Sequence, residues 1–117
     1  MRTTSIDLNR IRELFMHHEQ DLVACVELFE SRMERNLRDL RRAMLDSNWN
    51  AARFVLRRML SAAVSLALHD LITVIKKAEQ KLKHQILNRI QDDLEHIVFL
   101  CHEYRTDLRA QLQMRIE

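Results

Sequence analysis

The sequence contains no glycine and no proline, whereas average usage would supply roughly a dozen of the two in a chain of 117 residues. Glycine-rich phosphate loops and tight hairpins are therefore not expected. Left-handed helix caps are not expected either, because glycine is the residue that adopts them most readily. Aromatic residues make up only 5% of the chain. Leucine, arginine, alanine, glutamate and methionine dominate, so the composition predicts an all-α fold.

Neither charge nor cysteine content points to a specialised class of protein. Nineteen basic and seventeen acidic residues give a net charge of +2, which is not typical of a nucleic-acid-binding domain. The two cysteines, Cys25 and Cys101, lie in apolar helical runs and are predicted to be buried free thiols in a reducing compartment. Charges interrupt every apolar run, and no apolar signal segment follows Arg2. We therefore expect a cytoplasmic protein that does not contact a membrane.

Hydrophobic periodicity predicts one domain, residues 1–117, built from five helices. The predicted ranges are 7–18, 20–45, 49–66, 70–86 and 89–115. Short connections between the four longer helices favour an antiparallel up-down-up-down four-helix bundle, with the short extra N-terminal helix covering one end. The apolar face of that short helix is formed by Leu8, Ile11, Leu14 and Phe15.

Local signals predict several helix ends. Asn48 is a good N-cap for the helix that follows it. Asn88 and Gln91 have the spacing of a capping box for the last helix. Ile86 continues the apolar stripe of the helix predicted at 70–86.

The stretch "WNAARFVLRRMLSAAVSLALHDL" is the most apolar part of the chain, yet it holds three arginines. Helical spacing separates a core face from an opposite face. The opposite face comprises Asn50, Arg53, Arg57, either Leu60 or Ser61, and Val64, with Phe54 beside it. An exposed apolar strip bordered by arginine is typical of a contact surface. Alternatively, the short first helix covers these residues.

Arginines also accumulate on both sides of the connection at residues 46–48. Residues 32–58 contain eight arginines and three acidic residues, a local excess of five positive charges in a nearly neutral chain. The arginines are Arg32, Arg35, Arg38, Arg41, Arg42, Arg53, Arg57 and Arg58. Such a patch should attract an acidic partner surface. The alternative is a solvated face with pairs within one helix, such as Glu34 with Arg38.

The order and lengths of the helices, together with the turn "LRRAMLDSNWNAAR", resemble the histidine-containing phosphotransfer (HPt) domain of bacterial phosphorelays. The resemblance covers roughly residues 8–114. In that family a helix often begins with a polar cap and a Trp, followed by a pattern close to A-H-x-L-K-G-S-x-x-x-x-G-A. The family's histidine carries a phosphoryl group on a four-helix bundle, and a receiver domain docks around it.

The departures from this pattern fall on the functional positions. Counted from Trp49, the position of the phospho-accepting histidine is Arg57. The lysine position is Leu60, the glycine after it is Ser61, and the later Gly-Ala pair reads Ala67-Leu68. A guanidinium cannot accept a phosphoryl group as imidazole does. The resemblance therefore implies an HPt-like signalling module that binds a receiver domain of a response regulator or hybrid kinase without carrying phosphate.

The partner-binding surface that these patterns predict has eight members: Arg42, Arg53, Phe54, Arg57, Arg58, Leu60, Ser61 and Val64. His69 is the remaining candidate for a displaced phospho-acceptor, but it lies 12 residues beyond Arg57, about 18 Å along a helix axis. The histidines and cysteines show no zinc-binding spacing, and there is no catalytic constellation. We therefore expect no metal, no cofactor and no enzymatic activity.

Two other functions fit the same sequence. The chain could be the C-terminal HPt domain of a hybrid sensor kinase. It could instead be an all-helical interaction protein, such as a chaperone or a homodimer joined through Phe54, Leu60 and Val64. A nucleic-acid role is disfavoured, because aromatic residues for base stacking are few.

Overall fold

The computed structural model describes residues 19–116 of the chain, with side chains from residue 23 to residue 110. This part contains four helices and no strand: α1 (Glu19–Leu45), α2 (Trp49–Ser65), α3 (His69–Lys83) and α4 (Ile90–Ile116). The predicted all-α fold is confirmed for these residues. The helix predicted at residues 7–18 lies outside the described part of the chain.

One apolar core lies between the four helices. Each helix contributes a stripe of buried residues, and Leu40, Leu56, Ile75 and Leu94 are fully buried at its centre. Each helix packs against the next one along the chain, and α1 also packs against α4. These are the contacts that a bundle requires. Burial of each such side chain contributes about 1.5–3 kcal/mol, so the core is the main source of stability.

Three helix ends adopt a left-handed backbone conformation without glycine. Ser47, Ala67 and Gln85 have φ angles of 50°, 55° and 57°. At the end of α2, the amide of Ala67 donates to the carbonyl of Val64, and the amide of Leu68 donates to the carbonyl of Ala63. These two bonds define a Schellman motif, and equivalent bonds close α1 and α3. The expectation that such caps would be absent is wrong.

The connection between α1 and α2 follows the local sequence. The side-chain oxygen of Asn48 accepts a hydrogen bond of 3.1 Å from the amide of Ala51. Asn48 is therefore the N-cap of α2, as predicted. Only three residues separate α1 from α2, and only three separate α2 from α3.

The connection between α3 and α4 differs from the prediction. The third helix ends at Lys83 and not at residue 86, so Ile86 lies outside it and is 49% exposed. The fourth helix begins at Ile90, which places Arg89, with φ of 57°, at its N-cap. The predicted capping box of Asn88 with Gln91 is therefore wrong. The Schellman bonds after α3 stop that helix early and shift the start of α4.

The two cysteines differ in their surroundings. Both are free thiols; Cys101 is buried in the core, whereas Cys25 is half-buried. Burial raises the pKa of the Cys101 thiol to about 12. The prediction of two buried thiols thus holds fully for Cys101 alone. Between residues 19 and 116, no helix combines the length and the apolar character needed to cross a membrane.

Candidate partner-binding face

The outward face of α2 is a stripe of exposed residues opposite the core. Because Ala52, Val55, Leu56, Met59 and Ala63 face the core, positions half a turn away face solvent. The stripe comprises Asn50, Phe54, Arg57, Ser61 and Val64, all of them exposed. We call these five residues the α2 face.

The structure distinguishes Leu60 from Ser61, the two candidates for one position of this face. Leu60 is half-buried and packs against the core, while Ser61 is exposed. Phe54 and Val64 remain 65% and 57% exposed. The apolar part of the α2 face therefore consists of Phe54 and Val64 within the described part of the chain.

Glu79 on α3 binds two arginines of α2 through one oxygen. Nε of Arg53 lies 2.8 Å from Oε1 of Glu79, and Nε of Arg57 lies 3.4 Å from the same atom. The side chain of Arg53 is 28% exposed, whereas that of Arg57 is 62% exposed. The hydrogen bond from Arg53 is the main reason why the pKa of Glu79 is lowered, and Arg57 contributes less. Arg53 is thus part of the α2–α3 interface, and Arg57 belongs to the α2 face.

Arg58 lies on the side of α2 that faces α1. Its Nη2 donates a hydrogen bond of 2.7 Å to Oδ2 of Asp39. Its guanidinium carbon lies 6.0 Å from the ring centroid of Phe54, within the range of a cation–π contact. These two contacts fix the guanidinium beside the α2 face.

Arg42 approaches the α2 face from the last turn of α1. It is exposed, and together with Phe54 it lines a cleft of about 390 Å³ at the α1–α2 end of the molecule. Asp39 and Asp46 line the same cleft. The structure therefore places Arg42 and Phe54 on one cleft, where the acidic groups reduce the local positive charge.

The eight arginines do not form one patch. Arg53 and Arg57 contact Glu79 of α3, Arg58 contacts Asp39 of α1, and Nη2 of Arg41 lies 3.2 Å from Nε2 of His102 on α4. Arg38, Arg41 and Arg42 line a second cleft together with His102 and Arg105. The positive charge is therefore distributed around the circumference of the molecule.

His69 is the first residue of α3 and is exposed. Its carbonyl accepts a hydrogen bond of 3.0 Å from the hydroxyl of Thr73. It lies beyond the turn that ends α2, on a different helix from Arg57. The structure does not bring His69 into the α2 face.

Sequence reasoning missed three carboxylates at the edges of the core. Glu79, Asp93 and Glu30 have side chains that are each 14% exposed, and each binds a cation of a neighbouring helix. Glu79 directly follows Ala78 of the core stripe, a boundary position that could have drawn attention to it. The identity of its partner could not have been inferred, because it depends on how α2 and α3 are rotated against each other.

The described residues contain no group of three or more histidine, cysteine, aspartate or glutamate side chains placed to hold a metal ion. The chemistry available on the α2 face is thus hydrogen bonding, charge pairing and apolar contact. Comparisons of the chain with family models, curated proteins and solved structures find no match.

Proposed function

We propose that this chain is an HPt-like module of a bacterial cytoplasmic phosphorelay, which binds a receiver domain through the α2 face without carrying phosphate itself. The observation that carries the proposal is the position of Arg57. The residue that aligns with the family's phospho-accepting histidine is 62% exposed and lies at the middle of the outward stripe of α2. A residue that contacts a partner must be exposed, and Arg57 meets this requirement.

The antiparallel up-down order that the proposal requires is supported by contacts between α1 and α4. Glu30 early in α1 binds Arg109 late in α4 at 2.6 Å, and Arg41 late in α1 lies beside His102, which is earlier in α4. Pairs that run in opposite directions along two helices are expected for antiparallel neighbours. The three-residue connections on both sides of α2 favour the same order for α1, α2 and α3.

The backbone at Ala67 agrees with the proposed alignment, and Ser47 and Gln85 adopt the same conformation at two other turns. The resemblance places the family's glycine at this position, and Ala67 has a φ of 55°, in the region where glycine is the favoured residue. The turn between α2 and α3 thus has the conformation that a glycine would serve best.

The proposed chemistry of Arg57 is recognition. An arginine cannot receive a phosphoryl group, but it forms short charge-assisted hydrogen bonds to carboxylates. Receiver domains carry acidic side chains around their phospho-acceptor. The contact with Glu79 engages Nε of Arg57 at 3.4 Å, and the side chain remains 62% exposed. Arg57 would then pair with the receiver's carboxylates where a histidine would otherwise react.

Phosphotransfer from a labelled phospho-receiver tests whether this chain accepts a phosphoryl group. We expect no stable label on this chain, while an active HPt domain run in parallel becomes labelled. Acid-labile label on any histidine of this chain would contradict the proposal.

Binding to an unphosphorylated receiver tests the docking face separately. Arg57→Glu should weaken binding at least tenfold, because it replaces an attractive charge by a repulsive one. Arg38→Glu is the matched control, since Arg38 is an exposed arginine of α1 that lines a different cleft. Equal effects of the two substitutions, or no effect of Arg57→Glu, would exclude this face.

A second candidate function rests on the exposure of Phe54 and Val64. Two such faces could seal a homodimer across a two-fold axis. Sedimentation equilibrium distinguishes this alternative: a dimer that Phe54→Glu converts to a monomer would support it. A protein that stays monomeric at high concentration would exclude it.

A further inference from the structure

A third cleft, of about 520 Å³, lies between α1 and α2 and is lined by basic and neutral polar side chains. Its polar lining comprises Arg32, Arg35, Asn36, Arg58, Ser61 and Ser65. The volume lies within the range of small-ligand pockets, about 300–1,000 Å³. We call this the α1–α2 cleft.

The α1–α2 cleft carries an excess of positive charge. Three guanidinium groups line it, and the neighbouring carboxylate of Asp39 pairs with Arg58 at 2.7 Å. The pKa of Asp39 is lowered first by its hydrogen bond from Arg58, and the charges of Arg35 and Arg38 act in the same direction. Arg35 and Arg58 therefore share one electrostatic environment. With Asp39 counted against Arg58, two positive charges remain, contributed by Arg32 and Arg35.

Arg58 is the fixed group of the cleft. Asp39 holds one end of its guanidinium, and the ring of Phe54 lies 6.0 Å from its central carbon. Its Nε is buried and has no hydrogen-bond partner among the described residues. Because Nε is occluded, a ligand in the cleft would meet the outer nitrogens of this guanidinium, which Asp39 and Phe54 hold in place.

Neutral donors complete the lining. Ser61 is exposed at the border of the cleft, and Asn36 lies on the facing helix. The hydroxyl of Ser65 donates to the carbonyl of Ser61 at 3.1 Å, and a rotation about its χ1 would turn it toward a ligand. The cleft thus combines guanidinium groups with hydroxyl and amide groups, the hydrogen-bond donors that protein sites use to bind phosphate oxygens.

We propose that the α1–α2 cleft binds the dianion of a phosphomonoester. Two uncompensated arginines match a double negative charge, and planar guanidinium groups bind phosphate oxygens in pairs. A single carboxylate would leave one of these charges unmatched. The site is distinct from the α2 face in Arg32, Arg35 and Asn36, and it does not depend on a receiver domain.

The probes for this site are glycerol 3-phosphate and a tripeptide with a central phosphoserine, which represent a free metabolite and a modified side chain. Each is titrated into the isotopically labelled full chain at constant low ionic strength, with amide shifts followed by NMR. Glycerol and the unphosphorylated tripeptide are the matched controls. Saturable shifts at residues 32–36 and 58–65 are expected with the phosphorylated probes alone. The tighter of the two probes then identifies the source of the phosphate.

Two double variants of α1 distinguish binding at this cleft from nonspecific electrostatic attraction. Arg32→Gln with Arg35→Gln removes the two uncompensated charges, and Arg38→Gln with Arg41→Gln removes the same charge at the same spacing outside the cleft. We expect the first pair to weaken binding at least tenfold and the second less than twofold. Equal losses in the two variants, or shifts with no saturation, would overturn the proposal.

A third variant keeps the charge of the cleft unchanged. Ser61→Ala should weaken phosphomonoester binding about threefold without altering the helical circular dichroism, since Ser61 is exposed. Unchanged affinity would contradict the proposed contact between the ligand and the hydroxyl of Ser61. Because neither probe involves a receiver, failure here leaves the docking proposal intact, and failure of docking leaves this one intact.

Discussion

Nε of Arg53 on α2 lies 2.8 Å from Oε1 of Glu79 on α3, and both side chains are largely withdrawn from solvent, at 28% and 14% exposure. Arg57 reaches the same oxygen over a longer distance and from a more exposed position. Two arginines that are equivalent in the sequence pattern therefore differ in role. One joins two helices, and the other is available to a partner.

This difference predicts unequal stability effects. Arg53→Gln should lower the free energy of unfolding by about 1–2 kcal/mol, because it leaves a half-buried carboxylate without its main partner. Arg57→Gln should change it by less than about 0.5 kcal/mol, as is usual for exposed positions. Urea titration of both variants measures this. Equal losses would mean that Arg57 has a structural role that its exposure does not reveal.

Glu79 should also shape the acid limb of stability. Its pKa is lowered from the ordinary value of 4.5, above all by the hydrogen bond from Arg53. The stabilisation that the Arg53–Glu79 pair provides is therefore present above pH 4.5 and is lost as pH falls through the lower pKa that Glu79 has in the folded state. We expect Glu79→Gln to be less stable than the parent protein at pH 7 and to lose less stability on acidification to pH 3. Asp39, whose pKa is also lowered, titrates in both proteins and does not contribute to the difference. Equal slopes of the free energy of unfolding against pH in the two proteins would contradict this prediction.

Cys101 should govern part of the alkaline limb. Its pKa is raised by burial from 9.0 to about 12. Between pH 9 and pH 12 the thiol ionises in the unfolded state but not in the folded state. The contribution of Cys101 to the free energy of unfolding is therefore fully present below pH 9 and declines by about 1.4 kcal/mol per pH unit above it. Cys101→Ala should therefore show a shallower loss of stability between pH 9 and pH 10.5. Cys25 and Tyr104, whose pKa values are also raised, remain in both proteins, so the difference in slope isolates Cys101.

The turn after α2 offers a stabilising substitution. Ala67 has a φ of 55°, and an L-residue other than glycine in this region costs about 1–2 kcal/mol. Ala67→Gly should therefore raise the free energy of unfolding by about 1 kcal/mol, since relief of strain exceeds the added entropy of the unfolded chain. Ala62→Gly, within α2, is the control and should lower it by about 1 kcal/mol. A lower midpoint for Ala67→Gly in thermal unfolding would show that the methyl group has a packing role.

The extents of α1, α2 and α4 could be predicted closely, because apolar periodicity and the side chain of Asn48 are local signals. The end of α3 could not. A Schellman motif at Gln85 stops that helix although Ile86 continues its apolar stripe. Such motifs usually show themselves by a glycine, and this chain forms them from Ser, Ala and Gln.

The candidate site shows the same division between local and long-range information. Counting along α2 places Arg57 and Val64 opposite the core, with Phe54 beside them, and the structure exposes all three. Counting cannot foresee that Glu79 draws Arg53 into an interface or that Asp39 fixes Arg58. Those partners are decided by the rotation of neighbouring helices, to which distant parts of the chain contribute.

The ion pairs between helices set a vertical register. Each of the four contacting helix pairs carries a cation–carboxylate contact, at Asp39–Arg58, Glu79–Arg53, Asp93–Lys81 and Glu30–Arg109. An apolar stripe that repeats every turn tolerates a slip of one turn, about 5.4 Å, since leucine then meets another leucine. A point charge does not tolerate it, because such a slip separates the partners and, at Glu79, Asp93 and Glu30, leaves a largely buried carboxylate unpaired. The main effect of these four contacts is therefore to fix the axial position of each helix relative to its neighbour.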